Sequence, residues 1–232
     1  MLASQAAAAL TDAYWGQALE AKVAQRTAEL EQRANELAII NSIQQGMAAE
    51  LNFQAIVDMV GDTLREVFHT GNIGIVWRDA ADPALAHNLY AYQHGVRIDI
   101  GTIRVNPEGP MTKAFDAKRP VVANNRTQML ALGLRQVPGT ELSRSTVMVP
   151  IFSGERTLGA IALQNHERED AYGDAEVRLL STVAASLGVA LENARLFDET
   201  QRLLKETEAR NAELAVINDV QLGMSRELEF QA

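Results

Sequence analysis

The sequence predicts an α+β fold: an antiparallel sheet with helices mainly on one face, flanked by long N- and C-terminal coiled-coil helices. Three observations indicate this fold. All six prolines lie between Pro83 and Pro150, and ten of the 15 glycines lie between Gly71 and Gly173. Short apolar runs alternate with turn residues in that central part. The flanks carry apolar residues at helical spacing and lack proline, which interrupts helix interiors, so they are expected to be helical.

The first elements of the central part follow from apolar spacing. Residues from Phe53 to Phe68 recur on one helical face and predict an amphipathic helix that ends before Gly71. A second, short helix is predicted to start at Pro110, because proline is favoured at a helix start. Short apolar or alternating runs bounded by turn residues predict strands at 73–77, 88–93, 96–100 and 120–124.

The later elements complete the sheet and its cover. Two apolar runs, 146–152 and 157–163, flank Ser153-Gly-Glu-Arg156 and predict a hairpin. Between the strands lies the segment 126–145, which is predicted to be a long loop of the kind that often covers a binding site. A long helix is predicted from Asp174, since apolar residues from Val177 onwards form one stripe.

A duplicated segment is the most informative feature of the chain. Residues 36–55 recur as residues 213–232, with 13 of 20 positions identical at a constant offset of 177. This repeat predicts a fragment of a modular protein, and the alternative is a complete protein with two similar helices. The predicted parts are the tail of a preceding module, a helical linker, a central domain and a linker leading to a following module, at 1–12, 13–51, 52–195 and 196–232.

Both predicted linkers show heptad spacing, with apolar residues alternately four and three positions apart. The predicted dimer seam consists of Leu19, Val23, Leu30, Leu37, Ile40, Leu203, Leu214 and Ile217. Polar residues such as Arg26 and Gln44 interrupt it, which lowers stability but restricts register. We expect a homodimer through parallel helices, because similar linkers on both sides must continue into neighbouring modules in one direction. The seam is either a switch between two packings or a plain dimerisation surface.

Composition excludes several classes of function. Thirty acidic and 21 basic residues leave a net charge of −9, which argues against a nucleic-acid or acidic-membrane partner. The absence of cysteine excludes disulfides, thiol nucleophiles and cysteine-based metal sites. No apolar run approaches the roughly 20 residues of a membrane span, so we expect no span and a cytoplasmic location.

No catalytic motif is present, and we expect no enzyme activity. The sequence lacks the serine-hydrolase, phosphate-binding, zinc-protease and dinucleotide-binding motifs. Its four histidines, His69, His87, His94 and His166, are scattered near predicted element ends and are expected to be solvated loop residues, with no metal site. An enzyme with unrecognised chemistry remains an alternative, and it would require titratable groups that converge in one cleft.

Three segments resemble GAF domains in their order and spacing. Residues 108–122 (Glu-Gly-Pro-Met-Thr-Lys-Ala-Phe onwards) are similar to the middle of that family, residues 147–163 to its Pro- and Gly-containing hairpin, and residues 174–196 to its closing helix. The likeness covers roughly 140 residues, and the helical linkers are similar to those of multi-GAF bacterial signalling proteins such as histidine kinases, cyclases and phosphatases. The resemblance implies a sensory or regulatory module that passes a signal to adjacent GAF or output domains through dimeric helices.

The resemblance also implies a pocket between the sheet and its covering loops, for a possible small-molecule ligand. Its candidate lining is Trp77, Tyr90, Tyr92, Met129, Leu132 and Met148. The cyclic-nucleotide pattern of some GAF domains is matched here only by Asn165 and Glu176, and thiol-linked bilins and sulfoxide reduction need the absent cysteine. The cofactor is therefore unknown. The alternative is a ligand-free structural spacer or dimerisation module with a filled pocket.

Overall fold

The computed structural model describes residues 2–50, 52–79 and 81–230. Within them, seven strands form one sheet in the order β3-β2-β1-β7-β6-β5, and β4 also pairs with β2. Every pairing is antiparallel, as predicted. The strands are β1 Ile73–Arg78, β2 Leu85–Gln93, β3 Val96–Arg97, β4 Thr102–Arg104, β5 Val121–Ala123, β6 Ser145–Ser153 and β7 Arg156–Asn165.

The strand predicted at 96–100 is shorter in the structure, where β3 ends at Arg97. The Asp99 carboxylate accepts a hydrogen bond from the Gly101 backbone N–H at 2.9 Å, and Gly101 has a φ of 62°. This turn favours glycine and interrupts the extended chain before β4 begins at Thr102. The predicted strand is therefore reduced to β3, and β4 lies beyond its predicted end.

Five helices accompany the sheet in the described residues: α1 Leu2–Ala49, α2 Phe53–Val67, α3 Pro110–Asp116, α4 Arg126–Ala131 and α5 Asp174–Phe230. The helix α4 lies in the segment predicted as a loop. Its N-cap Asn125 accepts from the Gln128 N–H at 3.0 Å, while the Gln128 side-chain oxygen accepts from the Asn124 N–H at 2.6 Å. This reciprocal capping resembles a capping box, whose Asn-x-x-Gln spacing is visible in the sequence.

The main core lies between one sheet face and the helices α1, α2 and α5. Its buried residues come from the strands, as Ile75 and Ile161 do, and from the facing helices, as Val57, Leu64 and Leu187 do. The short helices α3 and α4 lie on the other side, where Phe115 and Val121 form a smaller cluster with Ala160 of β7. The prediction of helices mainly on one face is confirmed.

The two terminal helices extend far beyond this core. At 1.5 Å per residue, the 48 residues of α1 span about 72 Å. Ile43 and Met47 near its C-terminal end are buried in the core, and the Gln44 side-chain amide donates to the Ser186 hydroxyl of α5 at 3.0 Å. Leu30 of α1 and Leu203 of α5 are exposed. The long C-terminal helix is thus confirmed. No helix in the described part of the chain is long and apolar enough to cross a bilayer.

Candidate functional site

A cavity of about 790 Å³ lies on the sheet face opposite the core helices. Its floor is made by Val76, Met148 and Ala162 of β1, β6 and β7. Residues of β4, α3 and the segment 133–143 form its walls. Small-molecule sites in proteins occupy about 300–1,000 Å³. The cavity therefore has the size of a small-ligand site.

The structure places the six predicted lining residues in two groups. Met129 and Met148 line the cavity, and Leu132 packs beside Met148 against the smaller cluster. The other three, Trp77, Tyr90 and Tyr92, belong to the main core on the opposite sheet face. The placement of these three aromatic residues in the pocket is corrected by the structure.

A β-bulge explains why the two tyrosines lie on the other face. Asn88 pairs with Val76 and lines the cavity, whereas Tyr90 pairs with the core residue Ile75. One extra residue, Leu89, therefore sits in β2 at the register shift. Since side chains alternate along a strand, one inserted residue reverses the face of all that follow. Strict alternation from Asn88 predicts that the Tyr90 side chain faces the cavity, whereas in the structure it lies in the main core.

The aromatic residues of the core face join α2 to the sheet. The Tyr90 hydroxyl donates to the Asp62 carboxylate at 2.6 Å, and burial, together with this hydrogen bond, raises the pKa of Tyr90 well above its ordinary value. The Arg65 guanidinium lies 3.7 Å from the centre of the Tyr92 ring, a cation–π contact. These contacts stabilise the packing of α2 on the sheet, and they hold Tyr90 and Tyr92 on the face opposite the cavity.

The polar lining of the cavity carries positive charge. Arg78, Arg104 and Arg135 line it, against the single carboxylate of Glu141 among the described lining residues. Arg78 pairs with Asp116 at 2.8 Å, while Arg104 and Arg135 have no ion pair within the described residues. A cavity with an excess of cations, in a chain of net charge −9, attracts anions.

Asn88 adds a hydrogen-bonding group that lacks a partner in the described structure. Its side-chain oxygen is buried and accepts no hydrogen bond within the described part of the chain. Buried polar atoms are nearly always paired with protein, water or ligand groups. Sequence analysis missed Asn88, Arg104 and Arg135. The one available signal was the polar Asn88 next to the apolar run 89–91 of β2.

A hydrogen-bonded Asp79–His87 pair holds the start of β2 beside β4, which forms a wall of the cavity. The Asp79 carboxylate contacts the His87 ring at 2.7 Å and accepts from the Ala81 and Asp82 N–H groups at 2.7 and 2.9 Å. The other ring nitrogen of His87 lies 3.1 Å from the Thr102 hydroxyl. These hydrogen bonds, with that of His87 the largest, lower the pKa of Asp79 from 3.8 to about 2.

We expect the Asp79→Asn substitution to destabilise the fold at neutral pH, with a loss that shrinks as the pH falls from about 5 to about 2. A carboxyl with a lowered folded-state pKa stabilises the fold above its unfolded pKa of 3.8, and loses this contribution as the pH falls toward the folded value of about 2. Urea unfolding of both proteins across this range measures the difference, with Glu169→Gln as an exposed-carboxylate control. A pH-independent difference contradicts the prediction.

A twisted antiparallel sheet, with the terminal helices on one face and a loop-covered cavity on the other, defines the GAF-like class of α+β domain. A family model described as GAF domain matches residues 50–192. The chain belongs to the GAF domain family, which confirms the predicted resemblance.

Solved structures support the same fold. The GAF domain of a phosphoenolpyruvate-protein phosphotransferase from Acinetobacter matches with a TM-score of 0.57 and 17% identity, over 69% of this chain and 94% of that one. A free methionine-R-sulfoxide reductase from Neisseria meningitidis matches at 0.55 and 20%, over 70% and 92%. Residues 122 to 287 of a methyl-accepting chemotaxis protein match at 0.54 and 17%, over 67% and 98%. No curated protein matches the chain in sequence.

Proposed function

We propose that the chain is a sensory module of a multidomain signalling protein, in which a small molecule binds the cavity and the terminal helices carry the signal. The observation that carries this proposal is the cavity of about 790 Å³ on the sheet face opposite α5. A ligand-free spacer requires a filled pocket, and the size of the cavity favours the sensor. The likeness to a chemotaxis receptor fragment supports a signalling role.

The lining indicates the chemistry of the ligand. Arg104 and Arg135 offer guanidinium groups, which bind carboxylates and phosphates well. Met129, Met148 and Ala162 provide an apolar surface beside them, and the Asn88 oxygen accepts from a hydroxyl or amine. The ligand we propose is a small organic anion with an apolar part and a hydrogen-bond donor.

The strands connect the cavity to the helices. Met148 of β6 lines the cavity, whereas its neighbours Val147 and Val149 are fully buried in the core that includes Leu187 of α5. A ligand that shifts β6 therefore also shifts the surface on which α5 lies, since packed cores respond as units. The helix α5 continues from that contact to Phe230, away from the core.

The wider arrangement follows from the repeat and the helices. We place one GAF module at 52–195 between helical linkers at 13–51 and 196–232, in a parallel homodimer that couples it to adjacent GAF or output domains in the cytoplasm. Binding without catalysis is favoured because the described cavity lining holds one carboxylate and no histidine. Acid–base chemistry generally requires several converging titratable groups.

Filling the cavity tests ligand binding. We expect Ala162→Phe to abolish the thermal stabilisation that small carboxylates or phosphates give the wild-type chain, because the ring occupies the floor between β1 and β6. Ala131→Phe is the matched control, since it adds the same ring to an exposed end of α4. A panel of such anions is screened by differential scanning fluorimetry, and native mass spectrometry identifies any co-purified molecule.

The outcomes separate the two candidate functions. Stabilisation of the wild type and of Ala131→Phe, but not of Ala162→Phe, supports the sensor. Equal responses of all three proteins, or no response and no co-purified molecule, contradict it and favour the structural spacer.

A further inference from the structure

Two histidines and one glutamate from distant parts of the sequence meet at one end of the sheet. The nearest ligand atoms of His94, Glu141 and His166 all lie within 4.8 Å of one another. The His94 Nε2 atom is 3.1 Å from a Glu141 carboxylate oxygen, and the centres of the two imidazole rings are 5.1 Å apart. Sequence analysis expected both histidines to be solvated loop residues, and it did not bring them together.

His166 provides a second, independent observation. Both its ring nitrogens are buried, and neither makes a well-formed hydrogen bond in the described part of the chain, although the Leu142 backbone is close enough to interact with the ring. Buried imidazole nitrogens without a partner are rare in native proteins, and an unseen ion is one recognised explanation.

Short hydrogen bonds hold both histidines in place. The His94 backbone N–H donates to the Asn72 side-chain oxygen at 2.7 Å, directly after β2 ends at Gln93. At the end of β7, the Asn165 side-chain oxygen accepts from the Arg168 N–H at 2.7 Å and fixes the turn that carries His166. Such support from surrounding groups keeps ligands oriented and is typical of metal sites.

We propose that His94, His166 and Glu141 bind one divalent first-row transition metal ion, with Zn²⁺ as the reference ion. Two imidazole nitrogens and one carboxylate oxygen form a ligand set that Zn²⁺ takes in proteins. Ligand atoms in a tetrahedral zinc site are about 3.3 Å apart, because each lies about 2.0–2.1 Å from the ion. The 3.1 Å between His94 Nε2 and the Glu141 carboxylate matches that spacing, and the His166 ligand atom lies within 4.8 Å of both.

The ion also acts on the cavity wall. Glu141 belongs to the segment 133–143 that covers the cavity, whereas His94 and His166 follow the ends of β2 and β7. A bound ion joins the covering segment to the sheet and closes the cavity at that end. The metal site does not depend on the identity of any ligand in the cavity.

Metal titration tests the site directly. Zn²⁺ is titrated into the intact, metal-stripped chain in competition with a chromogenic chelator, and Co²⁺ is followed by its visible absorption bands. We expect one ion per chain, and a loss of affinity on the order of 100-fold in each of Glu141→Gln and His94→Asn. Both changes are mild, since Glu141 is exposed and asparagine tolerates the φ of 51° at His94. His69→Asn, at an exposed histidine with a φ of 46°, is the matched control.

A second measurement tests the closure. Trypsin cleaves after exposed arginines, and Arg135 lies in the covering segment. Zn²⁺ should slow this cleavage several-fold in the wild type and in His69→Asn, but not in Glu141→Gln. The proposal is overturned if no ion binds at one per chain, or if His69→Asn lowers the affinity as much as Glu141→Gln does. If Zn²⁺ binds but does not slow the cleavage, only the proposal that the ion closes the cavity is overturned.

Discussion

We expect Gly188→Ala to lower the free energy of unfolding by about 2 kcal/mol, although alanine is the better helix former. A Cβ atom at position 188 of α5 would lie 2.1 Å from the Phe152 carbonyl oxygen of β6. That oxygen belongs to the backbone of a paired strand and cannot turn aside. Overpacking of this kind costs up to about 3 kcal/mol, while the change from glycine to alanine in a helix gains about 1 kcal/mol, so the clash wins.

Gly46→Ala is the matched control for this substitution. It makes the same change in α1, but the nearest atom to its added Cβ is the sulfur of Met59, at the flexible end of a side chain. We expect it to be neutral or stabilising, because Met59 can adopt another rotamer. Urea unfolding at one protein concentration, followed by circular dichroism, measures both variants. Equal stabilities of Gly188→Ala and Gly46→Ala contradict the close packing of α5 on β6.

The contact at Gly188 also lies on the path from β6 to α5 along which we propose that the signal passes. Because glycine allows α5 to lie directly on the end of β6, a movement of that strand reaches the long helix without an intervening side chain. A Gly188→Ala chain that still binds its ligand but no longer transmits the signal is the expected functional result. For this variant, ligand binding and the free energy of unfolding are measured in separate experiments.

Most of the fold was predictable because local patterns specify it. Helix α2 begins at Phe53 as its apolar spacing indicates, and Asn52 caps it by accepting from the Ala55 N–H at 2.9 Å. The hairpin of β6 and β7 forms around the predicted turn, and α5 begins at Asp174 as predicted. Each of these elements depends on residues close in sequence, so the pattern and the structure agree.

The candidate site was less predictable, since it depends on contacts between distant residues. A single bulge at Leu89 moves Tyr90 and Tyr92 away from the cavity, and alternation along the chain gives no sign of it. His94 and His166 lie 72 positions apart (166 − 94) in the sequence. They meet because β2 and β7, which they directly follow, end at the same end of the sheet. Met148 lines the cavity, because its neighbours in the hairpin fix which face it occupies.

Exposed apolar residues form a stripe along each of the terminal helices. Leu30 and Leu37 of α1 are 64% and 59% exposed, and the predicted seam residues of α5 are exposed as well. Helices in water are stabilised mainly by packing an apolar face, and α1 lacks such packing along this stretch of the described chain. The coiled-coil prediction supplies the missing partner as a second copy of the chain.

We expect the double variant Leu30→Asp, Leu37→Asp to convert a dimer of about 51 kDa (2 × 25.3) into a monomer of 25.3 kDa. We expect this because a parallel dimer of the variant would bury four carboxylates in its seam. Each buried carboxylate without a partner costs several kcal/mol. Leu130→Asp is the control, since Leu130 of α4 is comparably exposed, at 55%, but lies off the seam. Sedimentation equilibrium measures the masses, and a double variant that stays dimeric contradicts the part of the seam that lies on α1.

Crosslinking then tests the direction of the helices, because the chain has no cysteine of its own. Val23→Cys and Leu37→Cys, made separately, should each form a disulfide between two copies in a parallel dimer, where every seam position faces itself. The two positions are 14 residues, or about 21 Å, apart along α1. An antiparallel pair can therefore bring at most one of them together with its own copy. Ala28→Cys, on the outer face of the heptad, should remain uncrosslinked in either arrangement, and a disulfide at only one seam position contradicts the parallel dimer.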